Sequence, residues 1–128
     1  MSVQLLVAGK RCLVLDDEFL IALDIQQILE GAGVAHVECV ANAAEAIKML
    51  GVARKFDFAV LDVKLNGPEG YSLGIAAALK SQDTPFVFLT GMRADDVHAE
   101  KFPEAPVIQK PYDATALLDA VARALTRR

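Results

Sequence analysis

Several apolar runs of strand length in this sequence end in a polar side chain. The runs are CLVL before Asp16 and Asp17, FAVL before Asp62, FVFL before Thr90, and VIQ before Lys110. Near-continuous apolar runs of this length are typical of strands in a parallel sheet that is covered on both faces. Open parallel sheets bind their ligands just beyond the carboxyl ends of their strands. The sequence therefore predicts that carboxylates, a hydroxyl and an ammonium group meet at one edge of a sheet.

Length and composition fit a single domain of this kind. The chain has 128 residues and is 54% hydrophobic, above the roughly 45–50% of ordinary globular domains, as expected for a doubly covered sheet. The net charge of −4 argues against a nucleic-acid partner, because binding to phosphate backbones depends on clustered lysine and arginine. The sequence shows neither a signal peptide nor an apolar stretch long enough to cross a membrane. We therefore expect a cytoplasmic protein without a membrane partner.

Strand and helix patterns alternate along the chain. Strands are predicted at 10–15, 36–40, 58–62, 86–90 and 107–109, and helices from Asp17 to about Glu30, over 43–50, 71–81 and 93–102, and after Asp113. This alternation is typical of βα units with right-handed crossovers, so we predict an α/β domain over residues 10–128. Residues 1–9 form an N-terminal extension, predicted as either a short added strand or a loosely docked arm. Cys12 and Cys39 fall in predicted strands and are expected to be reduced and buried.

The aspartates at the strand ends require a neutralising group. Two carboxylates about 4 Å apart repel each other by roughly 4 kcal/mol at an effective dielectric constant of 20. Asp16, Asp17 and Asp62 therefore need either protons or a cation if all three lie together. Carboxylate oxygens with room for water are the ligands that Mg²⁺ prefers. The sequence predicts a magnesium site at this edge of the sheet.

One of these aspartates has the position of a nucleophile. A carboxylate beside Mg²⁺ at the end of a central strand can attack phosphorus and form an aspartyl-phosphate, which requires mainly alignment and charge neutralisation. Asp62 lies at such a strand end, with Lys110 as a cation and Thr90 as a hydroxyl donor for phosphoryl oxygens. Gly91 leaves the approach to phosphorus open. Each of these residues alone is typical of a turn, a helix start or a strand end. Only their occurrence together at one edge of the sheet favours a phosphoryl-transfer site.

The same residues carry a family resemblance. The matching segments are LVLDDE at 13–18, VLDV at 60–63, LTG at 89–91 and QKPY at 109–112. Over residues 10–128 the chain resembles the receiver domain of bacterial two-component response regulators, of the CheY-like superfamily. The resemblance implies a flavodoxin-like parallel sheet with strand order 2-1-3-4-5. It also implies phosphorylation of Asp62 by the phosphohistidine of a partner.

The resemblance further assigns the ligands of Mg²⁺. It implies that Asp17 and Asp62 bind the ion directly and that Asp16 binds it through a water molecule. The backbone carbonyl of Lys64 is then expected to complete the protein ligands.

A second set of roles concerns the phosphoryl group. The resemblance implies that Thr90 and Lys110 bind it and that the Lys110–Pro111 peptide bond is cis. The family often has Tyr or Phe three residues before the lysine, where this chain has Val107. Coupling between that ring and the threonine therefore cannot operate in its usual form. Tyr112, just after the Lys-Pro pair, is predicted to be a packing residue, and the alternative is that it substitutes for the missing ring.

The first predicted helix carries apolar residues outside its core stripe. The stripe is expected to comprise Ile21, Ile25, Ile28 and Leu29. Phe19, Ala22 and Leu23 are predicted to lie on a different, exposed face, where they would form a docking surface for a helical partner. The alternative is a helix that is simply buried on two sides.

These observations predict a stand-alone receiver, a monomer or weak dimer, that takes a phosphoryl group from a histidine kinase or a phosphotransfer protein. It would signal to an unknown downstream protein by altered contacts and would not be a metabolic enzyme. The alternatives are a pseudo-receiver and a receiver fragment of a larger hybrid kinase. An aspartate-dependent phosphatase is disfavoured, because Lys64 stands where it needs a second carboxylate. A flavin carrier is disfavoured by the acidic residues after the first strand.

Overall fold

The structure, a computed structural model, describes residues 2–51, 55–63, 72–91 and 101–126. In chain order its elements are α1 (Val3–Val7), β1 (Arg11–Leu15), α2 (Phe19–Gly31), β2 (His36–Val40), α3 (Ala43–Gly51), β3 (Phe58–Asp62), α4 (Leu73–Ser81), β4 (Phe86–Thr90), β5 (Val107–Gln109) and α5 (Ala114–Thr126). The five strands form one parallel sheet in the order β2-β1-β3-β4-β5. This confirms the predicted order 2-1-3-4-5.

The central strands are buried on both faces. Every residue of β3 and β4 is buried, whereas the edge strands β2 and β5 are only partly so. Successive side chains of a strand point to opposite faces, so one strand contributes to two cores. In β1, Leu13 and Leu15 belong to one core, and Cys12 and Val14 belong to the other. The continuous apolar runs in the sequence therefore reflect burial on both sides.

Helices form a layer on each face of the sheet. α3 and α4 pack on one face, where Ala46 and Ile75 are buried. α2 and α5 pack on the other, where Leu29 and Leu117 are fully buried. Complete burial of a side chain such as leucine contributes about 1.5–3 kcal/mol relative to exposure. The two layers hold the strand ends in fixed relative positions, as a site built from several strands requires.

Two helices begin at side-chain caps. Asn42 Oδ1 accepts a hydrogen bond from Glu45 N at 2.9 Å, and Glu45 Oε1 accepts one from Ala41 N at 3.0 Å. Asp113 Oδ1 accepts a hydrogen bond from Ala116 N at 2.8 Å. These bonds satisfy amide groups that have no partner within the helix, which fixes where α3 and α5 begin.

The N-terminal extension contains a helix, so the expectation of a strand or a loosely docked arm is wrong. α1 spans Val3–Val7, with Ser2 accepting a hydrogen bond from Leu5 N. Val7 is fully buried in the core that α2 and α5 form with one face of the sheet, whereas Leu5 is 71% exposed. Gly9, at φ +74°, turns the chain towards β1. Because β1 already has a strand on each side, the extension cannot pair with it.

α2 begins later than the sequence predicts. The pattern predicts Asp17 and Glu18 in its first turn, whereas the helix begins at Phe19. Asp16 Oδ1 accepts a hydrogen bond from Glu18 N at 2.9 Å. Such side-chain bonds compete with helical ones, so this local turn holds the acidic residues in the loop.

The buried stripe of α2 also differs from the prediction. Ala22, Ile25 and Leu29 are buried, whereas Ile21 and Ile28 are half-buried at the margin of the same core. An alanine on the buried side lets the helix approach the sheet closely, which moves the isoleucines outward.

Other predictions have mixed outcomes. Cys12 and Cys39 are free thiols, but only Cys12 is buried, and Cys39 is half-buried on the edge strand β2. Most of the helix predicted at 93–102 lies outside the described residues. No helix in the described part of the chain has the length and apolarity needed to cross a membrane.

Candidate functional site

Four strands deliver polar side chains to the carboxyl-terminal edge of the sheet. Asp62 is the last residue of β3 and Thr90 the last of β4. Asp16 directly follows β1, and Lys110 directly follows β5. Because neighbouring parallel strands end together, the sheet brings together side chains that are up to 94 positions apart, as Asp16 and Lys110 are. The Lys110 amide also donates a hydrogen bond to Thr90 O at 2.7 Å, which ties the end of β5 to β4.

A cluster of carboxylates forms the centre of this edge. Asp16, Asp17, Glu18 and Asp62 each offer one oxygen, and these oxygens lie within 4.8 Å of one another. Asp16 and Asp62 are only 2% and 4% exposed, respectively. The structure therefore brings together the three predicted aspartates and adds Glu18, which sequence reasoning missed. The signal for Glu18 was its place directly after the aspartate pair, where it was assigned to the helix.

Lys110 reaches into this cluster. Its Nζ lies 3.2 Å from Asp62 Oδ2, 3.4 Å from Asp16 Oδ2 and 3.7 Å from Glu18 Oε1. The contact with Asp62 is also a hydrogen bond. The lysine side chain is only 15% exposed. One cation thus faces several carboxylates, which leaves the cluster with an excess of negative charge.

The ionisation equilibria reflect this excess. Burial, together with the charges of Asp16 and Asp17, raises the pKa of Asp62 to about 6, although Lys110 acts in the opposite direction. Burial likewise raises the pKa of Asp16. Burial alone would lower the pKa of Lys110, but attraction to Asp62 and Asp16 outweighs it and the pKa rises. The carboxylates are therefore poised to gain a further positive partner.

The donor set fits a hard divalent cation. The candidate ligands among the described residues are all carboxylate oxygens, and Mg²⁺ combines one or two such ligands with water. Asp16 Oδ2 is buried and makes no hydrogen bond within the described residues, although Lys110 lies 3.4 Å away as an ion-pair partner. An acceptor of this kind is available to a metal-bound water. Asp17 is half-buried at the rim of the cluster. Lys64, the remaining predicted ligand, lies outside the described residues.

The residues predicted to face a phosphoryl group lie beside this cluster. Thr90 is 2% exposed at the end of β4. A Cβ built on Gly91 would meet no described atom within 4 Å, so the space beside it is open in the described part of the structure. The Lys110–Pro111 peptide bond is cis, as the resemblance implies. Val107 is half-buried in β5.

An exposed apolar surface lies next to the site at the start of α2. Phe19 and Leu20 are each 76% exposed, and Leu23 is 37% exposed. The prediction that Ala22 shares this surface is wrong, because Ala22 is 6% exposed and packs in the core. Leu20 was missed, since helical periodicity places it between the two predicted faces. We call Phe19, Leu20 and Leu23 the α2 apolar surface.

Comparisons with known proteins agree with this fold. The family model for the response regulator receiver domain matches residues 12–122. The phyllosphere-induced regulator PhyR of Methylorubrum extorquens is 25% identical over 114 residues, which cover 88% of this chain and 42% of PhyR. The chain thus spans less than half the length of that relative.

Solved structures are similar over nearly the whole chain. SdrG from Sphingomonas melonis is 34% identical, with a TM-score of 0.78, and the match covers 98% of this chain and 100% of SdrG. A second SdrG structure, described as its BeF3-activated conformation, is 34% identical with a TM-score of 0.74, covering 93% of this chain and 98% of that one. A response regulator receiver protein from Sinorhizobium medicae is 27% identical with a TM-score of 0.81, covering 91% of this chain and 94% of that one.

Proposed function

The chain belongs to the response regulator receiver family, and on that premise we propose that Asp62 accepts a phosphoryl group from a histidine kinase or a histidine phosphotransfer protein. The observation that carries the proposal is the position of Asp62. It ends a central strand, lies within a cluster of carboxylates, and has Lys110 Nζ at 3.2 Å. The domain acts as a regulatory switch that takes part in its own modification.

The transfer is a substitution at phosphorus. A carboxylate oxygen of Asp62 attacks the phosphorus of the donor phosphohistidine, an O–P bond forms and the P–N bond breaks. The electron pair of the broken bond returns to the imidazole of the donor. Lys110 then neutralises negative charge on the transferred group, and the Thr90 hydroxyl donates a hydrogen bond to it. The existing contact between Lys110 and Asp62 supports this role for the lysine.

A magnesium ion would be held by Asp17 and Asp62 directly, by Asp16 through water, and by the backbone carbonyl of Lys64. When bound, it would reduce repulsion between the carboxylates and the incoming phosphoryl oxygens. Glu18 lies in the same cluster and contributes negative charge that attracts the cation. Asp16 Oδ2 is buried and makes no hydrogen bond to a described residue beside its ion pair with Lys110, which supports an additional positive or water partner at this position.

The output of the switch is a protein contact. The α2 apolar surface lies beside the phosphorylation site and supports docking of a partner protein. SdrG, whose whole chain the match covers, supports action as a stand-alone receiver. PhyR, of which the match covers 42%, supports the alternative of a receiver within a longer protein.

Binding of beryllofluoride tests the proposed site. SdrG is described in a BeF3-activated conformation, and the anion resembles a phosphoryl group in shape and charge. We expect bound ¹⁹F signals with the wild-type protein and Mg²⁺, none without Mg²⁺, and none with Asp62→Asn. Asp119→Asn, which removes an exposed aspartate of α5, is the matched control and should bind. Bound signals that persist in Asp62→Asn, or that are absent from the wild type at saturating Mg²⁺, would refute the proposal.

A further inference from the structure

Tyr112 links the segment that carries Lys110 to α2. Its ring is half-buried against the core between α2 and α5. Its hydroxyl donates a hydrogen bond to Asp24 Oδ2, a residue of α2, at 3.3 Å. The two partners are 88 positions apart in the sequence, so this bond is a tertiary contact between β5–α5 and α2.

The same short segment contacts α2 at a second place. Lys110, two residues before Tyr112, lies 3.7 Å from Glu18, the N-cap of α2. Glu18 and Asp24 are separated by six residues, or roughly 9 Å along a helix axis. Residues 110–112 are therefore held against α2 at both ends, by an ion pair next to the carboxylate cluster and by a hydrogen bond further along the helix.

The two contacts differ in what phosphorylation does to them. A phosphoryl group on Asp62 attracts the ammonium of Lys110. The phosphoryl group therefore competes with Glu18 and Asp16 for that ammonium. The hydrogen bond between Tyr112 and Asp24 uses neither the ammonium nor a carboxylate of the cluster, although the charge of Asp16 also acts on the Tyr112 hydroxyl. Burial, and secondly the charge of Asp24, raises the pKa of the Tyr112 hydroxyl, so it stays protonated and remains a donor. This contact therefore persists while the lysine exchanges partners.

We propose that Tyr112 is a positioning residue whose hydrogen bond to Asp24 anchors residues 110–112 on α2 and so holds the Lys110 ammonium over Asp62. The proposal rests on the proposed function for its effect on phosphorylation, but the position of Lys110 can be measured independently. It assigns to Tyr112 a role beyond the packing that its ring provides.

Two variants isolate the hydrogen bond. Tyr112→Phe keeps the ring and removes the hydroxyl, and Asp24→Ala removes the acceptor. Asp24→Asn keeps an oxygen that accepts the bond and should restore wild-type behaviour. Glu30→Ala is the matched control, because it removes an exposed carboxylate of the same helix that is bonded to Gln26, whereas Tyr112 is bonded to Asp24.

The first readout is the acylation rate of Lys110 by a limiting amine-reactive ester, mapped by mass spectrometry without Mg²⁺ or a phosphodonor. Lys80, which is 58% exposed on α4, is the internal reference. We expect Tyr112→Phe and Asp24→Ala each to raise Lys110 acylation between about twofold and tenfold, the range that one ordinary hydrogen bond spans. The double variant should show no further increase. Asp24→Asn and Glu30→Ala should match the wild type.

The second readout is the rate of phosphorylation by acetyl phosphate with Mg²⁺, which should fall by a similar factor in the same two variants. If no variant, including the wild type, is phosphorylated by acetyl phosphate or by a phosphohistidine donor, the proposed function fails and Lys110 acylation alone decides the present proposal. Equal acylation of Lys110 in the wild type, Tyr112→Phe and Asp24→Ala overturns it. The proposal is also overturned if the increases in Lys110 acylation caused by the two single substitutions multiply in the double variant. Independent increases would mean that the two residues do not act through one shared hydrogen bond.

Discussion

Asp62 carries its negative charge in unfavourable surroundings when no metal ion is bound. It is buried beside Asp16 and Asp17, and its pKa is raised to about 6 from 3.8. A group whose pKa is higher in the folded than in the unfolded state destabilises the fold when ionised. For Asp62 this loss of folding free energy is absent below pH 3.8, the pKa in the unfolded state. It grows as the pH rises through about 6, the pKa in the folded state. The proposed phosphoacceptor thus lowers stability at neutral pH, as expected of a functional site.

Asp62→Asn should therefore stabilise the protein in the presence of EDTA. We expect the free energy of unfolding at pH 7.5 to rise by on the order of 2 kcal/mol, because Asn has no charge to repel Asp16. The gain should shrink as pH falls to 5, where Asp62 in the wild type takes up a proton. Urea unfolding of both proteins at several pH values measures this.

Asp119→Asn controls for the loss of one charge at an exposed position. Saturating Mg²⁺ should reduce or reverse the advantage of Asp62→Asn, because the cation compensates the wild-type carboxylate. A gain that does not vary with pH, or a loss of stability in EDTA, would mean that Asp62 is not under electrostatic strain.

α1 is the element that the sequence predicts least well. Five residues give too short a pattern to distinguish a helix turn from an arm. Its attachment depends on Val7, which fills the core between α2 and α5 and makes α1 part of the packed domain. The signal in the sequence was the spacing of Val3 and Val7, four residues apart on one helical face.

The packing of α1 predicts unequal effects of two substitutions within it. Val7→Ala should lower the free energy of unfolding by about 1–3 kcal/mol, because it removes buried methyl groups and leaves a cavity. Leu5→Ala, at a position that is 71% exposed, should change it by less than about 0.5 kcal/mol. Chemical denaturation of the two variants distinguishes them. Equal effects would show that α1 is not docked as the structure has it.

The central strands could be predicted from the sequence because they are buried on both faces. The helices, which are buried on one side only, are harder to predict. β3 and β4 are buried on both faces, so their sequences are continuous apolar runs that end where the site begins. Asp62 and Thr90 therefore could be placed from pattern alone. Helix faces are harder, because half-buried margins depend on neighbouring elements. Ala22 was thus assigned to the surface, and Leu20 was not.

Side-chain pairing between distant segments was the other limit. The sequence indicates that Lys110 lies near Asp62, since both follow strands of one sheet. It does not indicate that Glu18 shares the lysine, because the local turn at Asp16 that places Glu18 outside the helix is not visible in the pattern. The contact of Tyr112 with Asp24 depends on how α2 and the end of β5 lie relative to each other, which only the structure shows.

For the molecule as a whole, the proposed switch depends on one chemical step, the transfer of a phosphoryl group to Asp62. The most direct measurement is the intact mass of the protein after incubation with acetyl phosphate and Mg²⁺, with Asp62→Asn and Asp119→Asn in parallel. We expect the wild type and Asp119→Asn each to gain one phosphoryl group and Asp62→Asn to gain none. A gain that survives in Asp62→Asn would contradict this expectation, as would a wild-type protein that binds Mg²⁺ but stays unmodified with both acetyl phosphate and a phosphohistidine donor.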